Sequence, residues 1–322
     1  MKRRTTRELK WRCALRRVRA APLLLLSAVA QSAYAAEPPL ALTEVAPGIY
    51  VHVGAHEEIG SSRRRDIANI GFIVGERCVA VIDTGGDPRV GEGLKAAVAH
   101  TTPLPVCYVI NTHVHPDHIL GNVAFRNGDT QFVGAARLPA ALSARGSYYR
   151  DALSRGRDTA LAPEDIVAPD VTVTDRMELD LGGRALLLES HPTAHTDNDL
   201  TVLDEKTGTW WLSDLLFMER IPVVDGSING WIAELGRLRG VKVEQVVPGH
   251  GPASASWPTA ASDELRYLTT IREGIRAVIG RNGTLEAAVE SVGYDEQPRW
   301  KLFDDFHRRN VTAAFAELEW EE

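Results

Sequence analysis

The sequence predicts an α+β fold made in two rounds, each a set of strands with a helix that ends in metal-ligand residue types, followed by a helical tail. Three observations lead there. The apolar, β-branched run Val106–Ile110 feeds into residues 111–122, NTHVHPDHILGN, which place His113, His115, Asp117 and His118 within six positions. A second series of strand-like segments carries His195, Asp214 and His250. From 263 to 320 the apolar residues fall at helical spacing, as in Leu265, Leu268, Ile271, Ile275 and Val278.

The chain of 322 residues has a formal net charge of −7, unevenly placed. Residues 1–35 hold nine Lys/Arg against Glu8 alone, which leaves −15 on the remainder. A body that acidic repels phosphate backbones, so nucleic acid is not expected as a partner. The basic head precedes the apolar run 20–30, and Ala33-Tyr34-Ala35 is a small-x-small cleavage site. Residues 1–35 therefore read as a secretory signal peptide, too short for a membrane span, with Arg16-Arg17 as a hint of twin-arginine export. No later apolar run is long enough to cross a bilayer, so a mature chain without stable membrane insertion, periplasmic or secreted, is expected.

In order, residues 42–53 read as two strands about the Pro47-Gly48 turn, and 52–68 as a polar, charged loop. Strands follow at 69–74 and 78–82, the second ending at Asp83. Residues 87–100 have helical periodicity through Val90, Leu94, Ala97 and Val98, so the strands on either side should be parallel. A weaker helix is expected over 138–153 and a loop over 155–169. Strands 171–181 and 184–189 meet across Gly182-Gly183, and 199–203 and 209–212 bracket another turn. Ser227 is placed to cap a helix over 228–239, before a strand over 243–247 and the sequence PGHG.

On a strand's period of two, His113 and His115 point the same way, and Pro116 turns the chain so that Asp117 and His118 come from another side. That arrangement suits two adjacent cations better than one, and imidazole with carboxylate is a donor set that zinc accepts. No G-x-S-x-G elbow offers a serine nucleophile instead. Cys78 and Cys107 lie in predicted buried strands, five residues before Asp83 and six before His113. Two buried thiols are the default expectation. If the strands are neighbours, about 4.8 Å apart, a disulfide is the alternative that export permits.

The run HVHPDH closely resembles the H-x-H-x-D-H signature of the metallo-β-lactamase superfamily. The resemblance extends over residues 44–251, through VAVIDTGG (79–86), His195 in HPTAHTDND, Asp214 in WLSDLLF and His250 in VVPGHG. More narrowly, the chain is similar to the exported quinoprotein relay system zinc metallohydrolases. The resemblance implies an αββα sandwich of two mixed β-sheets flanked by helices over residues 36–256, with a helical extension, 257–322, packed on it. It implies that His113, His115 and His195 hold one metal, that Asp117, His118 and His250 hold a second, and that Asp214 bridges them. The SDLLF context is similar to the glyoxalase and hydrolase branch, where lactamases carry Cys.

The activity implied is that of an exported hydrolase with two Zn2+, whose shared hydroxide attacks a carbonyl of a small ester, thioester, lactone or lactam. Asp117 and His250 are the implied catalytic residues, Asp117 orienting the nucleophile. The alternatives are a periplasmic β-lactamase, a glyoxalase-like enzyme, and a persulfide-dioxygenase-like enzyme with one Fe2+. The substrate is expected to be a small molecule, and nothing in the chain indicates a protein partner.

Around these stations, Asp83 is expected to accept a hydrogen bond from a ligand imidazole or the metal loop, and Thr112 and Thr196 to hold loop backbone. Gly249 and Gly251 let the chain bend at His250. His52 and His56 lie on the loop expected to overhang the site, and Arg63-Arg64-Arg65 reads first as a solvated charge run and second as an anion holder. Trp210, Trp211 and Trp231 are assigned to the core, Trp300 and Trp320 to anchoring the tail helices, His191 to a structural role, and His100 and His307 to the surface.

Overall fold

The structure is a computed structural model that describes residues 37–62, 65–154 and 162–321, all within the unit Ala36–Glu322. The segment 1–35 read from the sequence as a signal peptide, Arg63-Arg64, and residues 155–161 of the loop expected after the 138–153 helix lie outside the described residues.

A seven-stranded sheet runs in chain order: β1 (Thr43–Ala46), β2 (Ile49–His52), β3 (Ile70–Val74), β4 (Val79–Ile82), β5 (Val106–Ile110), β6 (Gln131–Ala135) and β7 (Val171–Val173). Its first four strands pair antiparallel and β4 to β7 pair parallel. The helix α1 (Pro88–Thr101) makes the crossover between β4 and β5, started by Asp87, whose carboxylate accepts from Arg89 N–H, and by Pro88 in the first turn. Short α2 (Pro116–Ile119) follows β5, and α3 (Leu138–Ser154) follows β6. The second sheet has the order β12-β11-β10-β9-β8, formed by β8 (Arg176–Asp180), β9 (Ala185–Ser190), β10 (Leu200–Asp204), β11 (Thr209–Phe217) and β12 (Gln245–His250). Its pairs are antiparallel except β11 with β12. Between these two lies α4 (Ile228–Leu238), and α5 (Ser262–Ile279), α6 (Leu285–Ser291) and α7 (Phe303–Leu318) complete the chain.

Strand alternation explains the layers. In β4, Ala80 and Ile82 join the core between the sheets, with Leu188, Val202, Trp211 and Val247 from the facing sheet. Val79 and Val81 point the other way, against Val90, Leu94 and Val98 of α1. All four are buried because both faces of the strand are covered. The neighbours Trp210 and Trp211 divide in the same way, Trp211 to the inter-sheet core and Trp210 to the outer core. That outer core contains Leu212, Phe217, Trp231, Tyr267, Ile271 and Phe315, so the last three helices pack on the second sheet. As expected from the sequence, Ser227 caps α4, its hydroxyl oxygen accepting from Gly230 N–H at 2.9 Å.

The structure departs from the sequence reading in several places. The stretch 171–181 is two strands in different sheets, because the chain crosses at Thr174-Asp175, and the alternation of Val171 and Val173 resumes in phase at Met177 with only Asp175 between. Strand β6 was not anticipated, and β11 runs on to Phe217 rather than ending at 212. His307 is buried, not at the surface: it stacks on Phe303 at 4.1 Å, donates from Nε2 to the Val292 carbonyl and accepts from the Tyr267 hydroxyl. Trp320 is 81% exposed and anchors nothing, because α7 ends at Leu318 and leaves it beyond the core.

Cys78 and Cys107 are bonded, with a Cα separation of 5.7 Å, so the default of two thiols is replaced by the bridge. Beside it, Val79 pairs with Val106 but Ala80 with Tyr108, which leaves Cys107 as an extra residue in the ladder. The bulge takes Cys107 out of the regular pairing and brings it against Cys78, just before β4. Thiol titration of the denatured, unreduced chain from Ala36 onward is therefore expected to find no free thiol; two per chain would refute the bridge.

A buried ionic knot joins α4 to the second sheet. His191 contacts the Glu234 carboxylate at 2.7 Å and the Thr201 hydroxyl at 2.8 Å, and Arg237 also binds Glu234. Burial alone would raise the Glu234 pKa, but His191 and Arg237 outweigh it and hold the group at about 2, below its ordinary 4.5. A depressed carboxylate contributes stability that is complete above pH 4.5 and lost as pH falls toward 2. Urea titrations across that window are expected to show a shallower acid loss of stability for Glu234→Gln than for the parent chain.

Candidate metal centre

Asp83 closes β4 and His113 follows β5, so both fall beyond the carboxyl ends of parallel strands, where open sheets gather ligands. Pro116 starts α2, which presents Asp117 and His118. His195 lies in the loop between β9 and β10, and His250 ends β12. Asp214 is inside β11 rather than at its end. The preceding Ser213 has a left-handed φ of +48°, where the β11–β12 register shifts, and the bulge aims Asp214 at the histidines. Opposite it, a Cβ on Gly249 would lie 1.9 Å from Asp214 Oδ1, so that position is restricted to glycine.

The seven candidates form two groups, His113, His115, His195 and Asp214, and Asp117, His118 and His250. Within each group the ligand atoms lie within 4.8 Å of one another. Asp214 contacts both: its Oδ2 is 3.3 Å from His195 Nε2, 3.6 Å from His113 Nε2 and 3.4 Å from His250 Nε2, and its Oδ1 is 3.1 Å from His118 Nε2. Asp117 Oδ2 lies 3.5 Å from His250 Nε2 and 3.8 Å from His118 Nε2.

Each imidazole is tied on its far side, which sets the nitrogen left facing inward. His113 Nδ1 donates to Thr112 Oγ1 at 3.0 Å, His118 Nδ1 to Asp83 at 2.7 Å, and His115 Nε2 to Asp225 at 2.9 Å. His195 Nδ1 donates to the Val223 carbonyl and His250 Nδ1 to the Ile67 carbonyl, both at 2.8 Å. Five inward lone pairs thus surround two carboxylates, and His115 Nδ1 and His195 Nε2 face each other at 2.9 Å. His113 Nε2, His118 Nε2 and Asp214 Oδ1 are buried without a hydrogen-bond partner. Such a concentration of acceptors is costly unless cations occupy it, so the donor set fits a dinuclear metal centre. Burial pushes the His113 pKa well down and takes His195 to about 3, which keeps both imidazoles neutral as ligands must be.

Asp83 performs both parts of its expected role. It accepts from Thr112 N–H at 2.9 Å and Thr112 hydroxyl at 2.7 Å as well as from His118, and its own φ is +55°. Thr196 acts locally, its N–H and hydroxyl both donating to Asp199. Gly251 has a φ of +129°, consistent with the bend expected there. His52 is used structurally, bonded to the Ala41 carbonyl and Asp66, while His56 lies 3.4 Å from Glu219.

Three contributors, Asn69, Asp225 and Arg220, carry no motif and have no counterpart in the sequence reading. Asn69 accepts from Gly54 N–H and donates to the carbonyls of Pro248, Gly251 and Pro252, tying β3 to the His250 turn. Asp225 orients His115 and is itself held by Arg145 of α3. Arg220 is buried against His250. Arg65 belongs to the run first read as solvated, yet it is buried and lines the site, because its loop folds inward next to Asp117. No local spacing or motif marks Asn69, Asp225 or Arg220, so the local pattern held no signal for them.

The groups open into a cavity of about 630 Å³, within the range of small-molecule sites. Asp117, Asp214 and His250 form its floor, and α3 and α7 supply walls through Tyr148, Tyr149 and Phe306.

Residues 63–250 match the family described as the metallo-beta-lactamase superfamily, and the chain belongs to that superfamily, whose members are metal-dependent hydrolases. Among solved structures it is similar to a metallo-beta-lactamase from Pontibacter korlensis, with 18% identity and a TM-score of 0.56 over 71% of this chain and 99% of that one. It is also similar to the stereoselective inverting sec-alkylsulfatase Pisa1 from Pseudomonas sp., with 16% identity and a TM-score of 0.65 over 88% of this chain and 51% of that one. Both likenesses are at the level of the fold. No curated protein matches the chain.

The Asp225–His115 contact yields a test. Asp225→Ala is expected to weaken the cation held with His113 and His195 by about 10- to 100-fold, the usual cost of losing an outer partner of a metal-ligating histidine. Chelator competition measures this; unchanged affinity would show that Asp225 does not hold His115 in place.

Proposed function

We propose that the chain is an exported dinuclear zinc hydrolase that opens a carbonyl compound of small size: an ester, thioester, lactone or lactam. The observation that carries this reading is the carboxylate of Asp214 in contact with imidazoles of both groups at the floor of one cavity. Imidazole and carboxylate donors without thiolate favour zinc over softer-ligand metals. Export is supported by the basic and apolar head with its Ala33-Tyr34-Ala35 site, and by the Cys78–Cys107 bridge, which belongs to oxidising compartments. Among the described residues no helix is long and apolar enough to cross a membrane. Membership of the narrower quinoprotein relay system group rests on the order and context of the motifs.

Two cations held there would supply Lewis acidity, polarising the carbonyl and making hydroxide available near neutral pH. His113, His115 and His195 would hold one and Asp117, His118 and His250 the other, with Asp214 between. Asp117 borders the cavity and its carboxylate accepts hydrogen bonds, so it would orient the attacking water. His250, stacked on Phe217 at 4.9 Å, is fixed in plane and keeps the second group aligned with the cavity floor. Asp225 and Arg145 hold His115, and Asp83 holds His118, so neither ring turns as charge develops.

Elemental analysis of the chain from Ala36 is expected to find two zinc ions, and chelation to abolish turnover of a panel of esters, thioesters, lactones and lactams that includes nitrocefin. His115→Ala is expected to lose one ion and lower turnover by at least about 100-fold, as for removal of a metal ligand. One tightly held iron and no zinc would replace this reading with the dioxygenase.

A further inference from the structure

Glu264, in the first turn of α5, is fully buried and does not line the cavity. Its Oε1 accepts from Phe217 N–H at 2.9 Å, and its Oε2 is buried with no hydrogen-bond partner. Burial pushes its pKa well above the ordinary 4.5, against the bond from Phe217, which lowers it. A carboxyl is thus a costly occupant of this place, which an apolar side chain would fill without that cost. What it does there follows from the end of β11. Strand β10 pairs with β11 only as far as Trp211, so the ladder on that side offers Phe217 N–H no acceptor. On the other side, Met218 N–H donates to the His250 carbonyl at 2.9 Å. The Phe217 ring stacks on His250 at 4.9 Å and lies 5.5 Å from His195, so it meets one histidine of each metal group. Trp231 backs this ring at 6.0 Å and is itself 5.1 Å from His195.

We infer that Glu264 is a positioning residue of the metal centre. By holding Phe217 N–H it sets the ring that stands between His195 and His250, and so keeps the two metal groups at one spacing. The outward hydrogen bonds of His195 and His250 pin each imidazole separately, whereas the Phe217 ring couples them across the groups. Because α5 belongs to the helical extension, that extension takes part in the metal geometry as well as packing on the second sheet. The inference rests on the dinuclear reading for the presence of two cations, but not on the reaction they serve.

Titration of the chain with Co2+, whose visible absorption reports ligand geometry, tests the assignment through affinity and spectrum together. Glu264→Leu is expected to weaken both cations, each by about tenfold, the low end of what loss of an outer partner costs, and to shift the cobalt band. Glu264→Gln keeps an oxygen for Phe217 N–H and is expected to bind and absorb as the parent does. Joint weakening separates Glu264 from Asp225, whose removal acts on one cation. Parent-like affinities and spectrum in the Leu variant overturn the inference. So does weakening confined to one cation, since the ring would then not couple the groups. A Gln variant as impaired as the Leu variant overturns it too, because accepting from Phe217 would not be what matters. Should the Leu variant not fold, Phe217→Leu takes its place with Glu264 kept: joint weakening supports the inference and unchanged affinities overturn it. A parent chain that binds a single Co2+ refutes the dinuclear reading; the positioning role then stands if Glu264→Leu weakens that ion and Glu264→Gln does not, and falls otherwise.

Discussion

The structure depends on one constraint: seven donor groups, six buried and His115 half-buried, with their acceptor atoms turned toward one another. A protein interior does not tolerate that arrangement by itself, since inward lone pairs and carboxylates repel. Asp214 sits at its middle, within 3.1 to 3.6 Å of four imidazoles. Each surrounding feature keeps the donors from relaxing outward. The left-handed Ser213 turns Asp214 inward, Gly249 leaves it room, and an outward hydrogen bond pins every ring. The strain at Ser213 and Asp83 is maintained because the sheets around them are closed on both faces.

The sandwich is what makes this convergence possible. Asp83 and the histidines of the first motif come from one sheet, and Asp214 and His250 from the other. Cross-links between the sheets act at the site itself: Thr112 bonds Ser213 at 2.8 Å, Leu200 N–H donates to the Thr112 carbonyl, and Asn69 reaches the turn after Pro248. The disulfide lies at the opposite end of the β4–β5 pair, before the strands begin their approach to the metal groups. Helices that look remote in the chain belong to the same site. Arg145 of α3 holds Asp225, and α7 places Phe306 on the cavity wall and on Arg220. Helix α3 thus lines the cavity through Tyr148 and Tyr149 and, through Arg145 and Asp225, also holds His115.

The donor set was legible because metal binding needs particular residue types at short spacing. HVHPDH declares itself within six residues, and His195, Asp214 and His250 stand in recognisable contexts. Strand and helix types were legible wherever apolar periodicity was strong, as in β4, α1, α4 and α5. The 171–181 stretch was not, because a period of two persists when a chain crosses from one sheet to another, and local pattern contains no information about which sheet a strand joins.

By itself, the sequence determined which atoms can bind metal and which faces of the strands are apolar, since both are properties of residue type and local spacing. Only the tertiary structure decided how the donors are oriented and what borders them. Asp225, Asn69 and Arg220 reach the site from loops with no motif, His307 is buried by helices that pack only after the chain has folded, and Cys107 meets Cys78 through a bulge in the ladder. These outcomes depend on contacts between residues distant in sequence, as Asn69 with Pro248 illustrates, and such contacts leave no periodic trace in the chain.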